Sequence, residues 1–210
     1  MTENASPNKQ GRIRIKSQEK ILAAAQEEFI AQGYKGATVQ SIADRAGLPK
    51  ANVLYYFKNK ENIYHAVLDQ TLDMWDQGIG DISYEDGPKV AIKKFVAAKV
   101  QMAFEQPNAS KIYALEVIQG AQHLKEYNRT YQRKWVREKS KIFERWMDEG
   151  VMRRCDPVNL IFLIWSSTQH YADFETQILT IMNRADYEED DVQHVTDFLS
   201  DFIIRGLDIT

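Results

Sequence analysis

With 210 residues, 44% apolar and 27% charged, the chain has the make-up of a soluble globular protein large enough for a small head and a larger body. A single cysteine, Cys155, excludes an intramolecular disulfide and a cysteine-rich zinc site. The formal charge of −3 conceals a split: residues 1–60 hold ten Lys and Arg against five Asp and Glu, whereas the remaining 150 hold seventeen against twenty-five. A basic head on an acidic body points to nucleic acid at one end only.

In chain order, residues 1–16 read as a flexible arm whose Lys9, Arg12, Arg14 and Lys16 suit phosphate or the minor groove. The arm lacks the apolar stretch of a signal peptide. The longest strongly apolar run, Leu160 to Trp165, is six residues, too short for a bilayer. A cytoplasmic protein with no membrane association is expected. Ser17 is placed to cap a first helix running to about Gln32, with Ile21, Ala24, Ala25 and Phe29 on its buried face.

The segment from Thr38 to Tyr64 is the most informative. Val39, Ile42, Ala43 and Ala46 fall at helical spacing, Gly47-Leu48-Pro49 breaks the helix, and a short second helix spans Lys50 to Phe57. Such a unit lays its second helix in the major groove of DNA, N-terminal residues against the base edges. Helix-turn-helix geometry also occurs in folds that never meet DNA, so the residue types matter. Lys50 and Asn52 can hydrogen-bond base edges, while Tyr55, Tyr56 and Lys60 are donors suited to phosphate oxygens. Thr38 and Ala51 complete the candidate DNA-contact set, and residues 17–60 are the expected DNA-binding domain.

Residues 61–210 form the expected second domain. Asn59 is placed to cap a helix over 60–77, and residues 78–86 read as a loop. Further helices are expected over 88–105, 109–120, 124–149, 156–182 and 188–206. No segment shows strand alternation, so the fold class is all-α, with nine helices. The helices at 156–182 and 188–206 carry more apolar residues than one stripe can bury, Phe198 and Phe202 among them. They suit a two-fold four-helix dimer interface, which would set two recognition helices on a palindromic operator.

From Phe29 to Tyr64 the sequence FIAQGYKGATVQSIADRAGLPKANVLYYFKNKENIY resembles the TetR family of bacterial repressors. That resemblance implies a nine-helix homodimer, with a DNA-binding head and a body that houses an inducer pocket. The body segments AIKKFVAAKV, IFLIWSSTQHYADFETQI and Leu68 to Trp75 resemble a pyrimidine-responsive branch of the family, whereas residues 79–86 and 120–135 match it poorly.

Uracil and thymine are flat lactams, and a site for them needs an aromatic platform, a side-chain amide and a further donor. Gln169 and Asp173 share a helical face with Trp165 one turn before and His170 adjoining; Trp75 and Lys99 lie on other helices. These six are the candidate ligand residues. The bland readings are a core role for Trp75, a solvent-directed Lys99, and a polar dimer seam for Gln169 and His170. Asp173 facing the interior would be costly unless paired.

The four histidines show no metal-ligand spacing and no glycine-rich phosphate loop is present, so neither metal nor cofactor is expected. Ser166, Ser167 and His170 share one helix but lack oxyanion donors, since mid-helix amides are already bonded; an enzyme is not expected. A ligand-independent dimeric DNA-binding protein stays open as an alternative, as does a regulator of another inducer. A polar, aromatic pocket in the body is what separates a sensor from the former.

Overall fold

The computed structural model describes residues 9–78 and 82–209, and these divide into two compact units, one up to Leu72 and one from Asp73. The described residues are helical with no strand.

In the first unit, α1 spans Lys9–Gly36, α2 Val39–Ala46 and α3 Lys50–Phe57, and α4 begins at Lys60. The first helix starts well before the expected position. Ser17 sits inside it, its hydroxyl donating to the Ile13 carbonyl at 2.9 Å instead of capping. The sixteen-residue arm is therefore helical from Lys9, and its first eight residues lie outside the described ones. Helical geometry fails at Gly33, where φ is 67° and ψ 168°, a conformation open to glycine at little steric cost. Ile21, Ala25, Phe29, Ile42, Ala43 and Val53 are buried as the 3.6-residue period requires. Arg45 ties α2 to α1, donating to Glu28 at 3.1 and 3.2 Å and to Glu27 at 3.0 Å.

The second unit takes the end of α4 (Lys60–Gly78), a 3-10 turn at Tyr84–Asp86, α5 (Gly87–Glu105) and α6 (Pro107–Ile118). Of the expected 78–86 loop, residues 79–81 lie outside the described ones. The expected helix over 124–149 is α7 (Lys125–Tyr127), a π turn at Asn128–Gln132 and α8 (Arg133–Asp148). The helix expected over 156–182 is broken at Phe174 into α9 (Pro157–Asp173) and α10 (Glu175–Met182). Nothing in the sequence punctuates that break, since Phe174 is neither glycine nor proline. α11 spans Asp191–Gly206.

Phe95, Val96, Phe143, Trp146, Ile161, Ile164, Leu199 and Ile203 fill the core between α5, α8, α9 and α11. Proline in the first turn starts α5, α6 and α9, where its missing N–H costs nothing. Asp156 accepts from the Val158 and Asn159 amides at 2.8 and 3.0 Å and so caps α9. One side of α9 and α11 stays in solvent, with Phe162, Leu163, Phe198 and Phe202 each at least half exposed.

Candidate DNA-contact surface and ligand pocket

The turn between α2 and α3 is held by its own backbone. Thr38 and Ser41 form a reciprocal capping box at the start of α2, each hydroxyl oxygen accepting from the other residue's amide at 3.0 Å. At its end Gly47 takes the left-handed conformation, φ 60°, and the Leu48 amide reaches back to the Ala43 carbonyl at 3.0 Å. The chain then leaves at the angle that presents α3. Val53 and Phe57 anchor that helix inward, leaving Lys50, Ala51, Asn52, Leu54 and Tyr55 exposed. Tyr55 is 77% exposed and meets the half-buried Tyr56 edge to face, with ring centroids 5.2 Å apart. An exposed aromatic side chain beside a lysine and an asparagine is poor packing and good recognition chemistry.

Two of the expected DNA contacts are differently employed. The Thr38 hydroxyl belongs to the capping box. The Lys60 ammonium donates to the carbonyls of Tyr34 and Ala37 at 2.7 and 3.0 Å and lies 4.6 Å over the Tyr34 ring. It thereby satisfies orphan carbonyls at the end of α1. The geometry supports a tether between α1 and α4 in place of the free phosphate contact expected from the sequence. Asn59 does cap α4, accepting from the Asn62 amide at 2.8 Å.

Within the second unit Trp75, Lys99, Trp165 and Gln169 line one cavity of about 60 Å³, together with Asp76, Tyr113, Tyr127, Tyr131, Gln132 and Trp135. Aromatic rings make most of its wall: Trp75 meets Tyr113 at 4.6 Å, Trp135 meets Trp165 at 5.8 Å, and Tyr127 stacks on Tyr131 at 5.3 Å. Gln132 donates to the Tyr113 hydroxyl at 3.0 Å and the Tyr127 hydroxyl donates to Asp76 at 3.4 Å. Burial, with Asp76 beside it, pushes the Tyr127 phenol far above its ordinary range.

Lys99 does not turn to solvent. It is 4% exposed, its ammonium lies 4.9 Å over the Trp75 ring, and it makes no hydrogen bond among the described residues. Burial lowers its pKa to about 8, opposed only by the field of Asp173. Asp173 itself lies outside the cavity wall, accepting from the Ser110 hydroxyl at 2.6 Å. Its carboxyl is raised by burial and held back by Ser110 and then Lys99. His170 is also outside: one residue on from Gln169 it faces outward, stacked on Phe174 at 4.7 Å.

Sequence reasoning thus found four cavity residues and missed Asp76, Gln132, Trp135 and the three tyrosines. Tyr131 and Gln132 come from the π turn, where an extra residue per turn shifts every later side chain by about 100° from the α-helical register, and Tyr127 is the residue just before it. A 3.6-residue reading cannot anticipate that.

A head with an exposed recognition helix and a body with a polar-aromatic cavity define a helix-turn-helix transcriptional regulator. The chain belongs to the TetR family: residues 21–67 match "Bacterial regulatory proteins, tetR family" and residues 68–210 match "YcdC-like protein, C-terminal region". It is 34% identical over 209 residues, 99% of both chains, to the HTH-type transcriptional regulator RutR of Escherichia coli K12. Solved structures share the fold. AibR in complex with isovaleryl coenzyme A and operator DNA superposes with a TM-score of 0.66 at 15% identity, covering 89% of this chain and 97% of that one. The hemolysin II transcriptional regulator HlyIIR gives 0.64 at 22%, covering 92% and 98%. These relatives are transcriptional regulators, and this chain is one too, not an enzyme. Among the described residues no helix is long and apolar enough to cross a membrane.

Proposed function

We propose that this regulator binds a palindromic operator as a cytoplasmic homodimer and is released when a pyrimidine base, uracil or thymine, enters the cavity of the second unit. The observation that carries the reading is a small aromatic enclosure holding a buried ammonium and an amide, Lys99 and Gln169, with no hydrogen bond to either side chain among the described residues. An architectural protein has no use for such a void, because unpaired buried polar groups cost stability. A flat lactam suits this chemistry, its ring meeting the aromatic wall and its polar edge meeting Gln169 and Lys99, with the wall giving way from the void of about 60 Å³ it surrounds here. No metal or cofactor is part of the reading.

On DNA, Lys50, Ala51, Asn52 and Tyr55 of α3 face the major groove, with Tyr56 at the phosphate edge. The exposed Phe162, Leu163, Phe198 and Phe202 form the self-complementary seam of the dimer. Helix α4 runs unbroken from Lys60 to Gly78 and carries Trp75 and Asp76, so a ligand that moves those side chains acts on the same helix that leaves the head. Release follows only when the ligand favours the conformer that does not bind DNA.

Calorimetry with uracil and thymine, paired with an operator-shift assay, tests this. Heat of binding with loss of the shifted complex is the expected result. Protein that binds operator but gives no heat with either base sinks the pyrimidine reading and leaves the DNA-binding regulator intact.

A further inference from the structure

Among the described residues Lys99 is the one buried lysine, and burial changes its reactivity as well as its contacts. Other lysines are held as cations by their partners: Lys60 by carbonyls of α1, Lys94 by Asp86 and Lys111 by Glu175. Lys99 has no hydrogen bond among the described residues, and its nitrogen lies 4.9 Å from the centre of the Trp75 ring, in the wall of the void of about 60 Å³. The nearby carboxylates are engaged elsewhere, Asp76 with the Tyr127 hydroxyl and Asp173 with that of Ser110. An ammonium stripped of water and given no acceptor is easily deprotonated. Its pKa of about 8 leaves roughly a tenth of the amines neutral at pH 7, about 300-fold more than for a lysine at 10.5. A neutral amine in a desolvated pocket is the form of lysine that attacks a carbonyl carbon.

We propose that Lys99 captures carbonyl compounds, its amine condensing with a short aliphatic aldehyde that enters the cavity to give a reversible imine. The nitrogen lone pair forms the C–N bond as the carbonyl π pair moves onto oxygen, and the carbinolamine so formed loses water to give C=N. Over the whole reaction an ammonium and an aldehyde become an iminium and one water. Two hydrogens leave nitrogen with the aldehyde oxygen, positive charge is conserved, and nothing is oxidised or reduced. The product suits the site. Its charge stays over the Trp75 face and in the field of Asp173, and the N–H donors it gives up had no acceptor. The void has room for about two water-sized groups, so a two-carbon chain fits it as it stands. Asp76 and Tyr131, exposed at the rim, mark the way in. Capture asks nothing of the pyrimidine reading, although an imine on Lys99 would fill space that the proposed base needs.

Borohydride trapping of the full-length protein tests this. The folded protein is equilibrated with acetaldehyde at pH 7 and then pulsed with borohydride in urea. The pulse reduces imine to a stable ethylamine and free aldehyde to alcohol, and the urea removes any need for borohydride to enter the folded cavity. Peptide mass spectrometry then locates the ethyl groups. Lys99 should carry at least about tenfold more of them than Lys89 and Lys93, exposed lysines of the same helix. When the aldehyde is added to protein already unfolded in urea, that lead should vanish, because unfolded lysines share one pKa. Lys99 labelled no more than Lys89 and Lys93 in the folded protein overturns the proposal. A lead that persists in urea overturns it as well, since the fold would not be its cause. The readout is a mass on one lysine and not heat from a base, so the capture and the pyrimidine reading fail or stand separately.

Discussion

Helix α3 leaves five of its eight residues in solvent, whereas the cavity of the second unit draws its wall from α4, α5, α6, α7, the π turn, α8 and α9, with Trp75 and Lys99 buried and Asp76 and Tyr131 exposed at its rim. The recognition surface is local. A capping box, one left-handed glycine and two inward anchors orient it, and its chemistry lies within six consecutive residues from Lys50 to Tyr55. The pocket is the reverse, with its wall gathered from residues between Trp75 and Gln169 and one hydrogen bond in it, Tyr127 to Asp76, joining groups 51 positions apart. Recognition of a long polymer needs a protruding edge, while recognition of a small neutral ring needs exclusion of water from every side.

The largest effect expected from breaking this contrast lies in neither site but in the proposed dimer seam, which would double both. In the proposed two-fold interface, Phe198→Glu together with Phe202→Glu would bury four charges, because each substitution occurs twice. Sedimentation should show monomers, and operator affinity should fall by at least about 100-fold, since a single half-site loses the second subunit's contacts. An intact dimer would locate the interface elsewhere.

Lys99 offers the next test, on stability. The unfolded chain keeps this proton up to about 10.5, while the unliganded native state gives it up at about 8. Between those values the unfolded state binds more protons, so native stability rises with pH and the burial penalty is felt in full only below about 8. Relative to Lys99→Met, wild type should gain roughly 3 kcal/mol between pH 7 and pH 10.5 in denaturant titrations. Parallel curves for the two proteins would mean that Lys99 is solvated.

Gln169→Leu keeps the size of the side chain and removes its polar end. It should cost uracil about 1–3 kcal/mol, or 5- to 150-fold in affinity, with operator binding in the absence of ligand unchanged. A fall in operator affinity would instead assign Gln169 to the structure of the body.

The smallest expected effect separates two lysines of the head. Lys50→Ala, which removes a base-edge donor and a cation from the groove together, should relax base preference at its position and flatten the salt dependence of operator binding by up to about one unit in the log–log slope. Lys60→Ala should leave that slope alone and lower stability by about 1 kcal/mol, because its ammonium serves the α1 carbonyls. A flattened slope for Lys60→Ala would restore the phosphate role expected from sequence.

The sequence alone determined the all-α class, the head and its turn, the α4 cap at Asn59, and four of the residues that meet in the cavity. Helix period, caps and turn glycines act over three to five residues, so they can be read wherever they occur. The tertiary structure decided what those rules do not reach. It turned Lys60 inward, and it buried Lys99 where a solvent-seeking stem was the ordinary expectation. It broke the long helix at Phe174 without a glycine or proline, and it inserted the π turn that brings Tyr127, Tyr131 and Gln132 to the cavity. In each case the outcome depends on partners distant in the chain: a carbonyl for an ammonium, an indole face for a cation, space for a ring. Local pattern carries the period of an element, and only packing decides which of its side chains are left wanting a ligand.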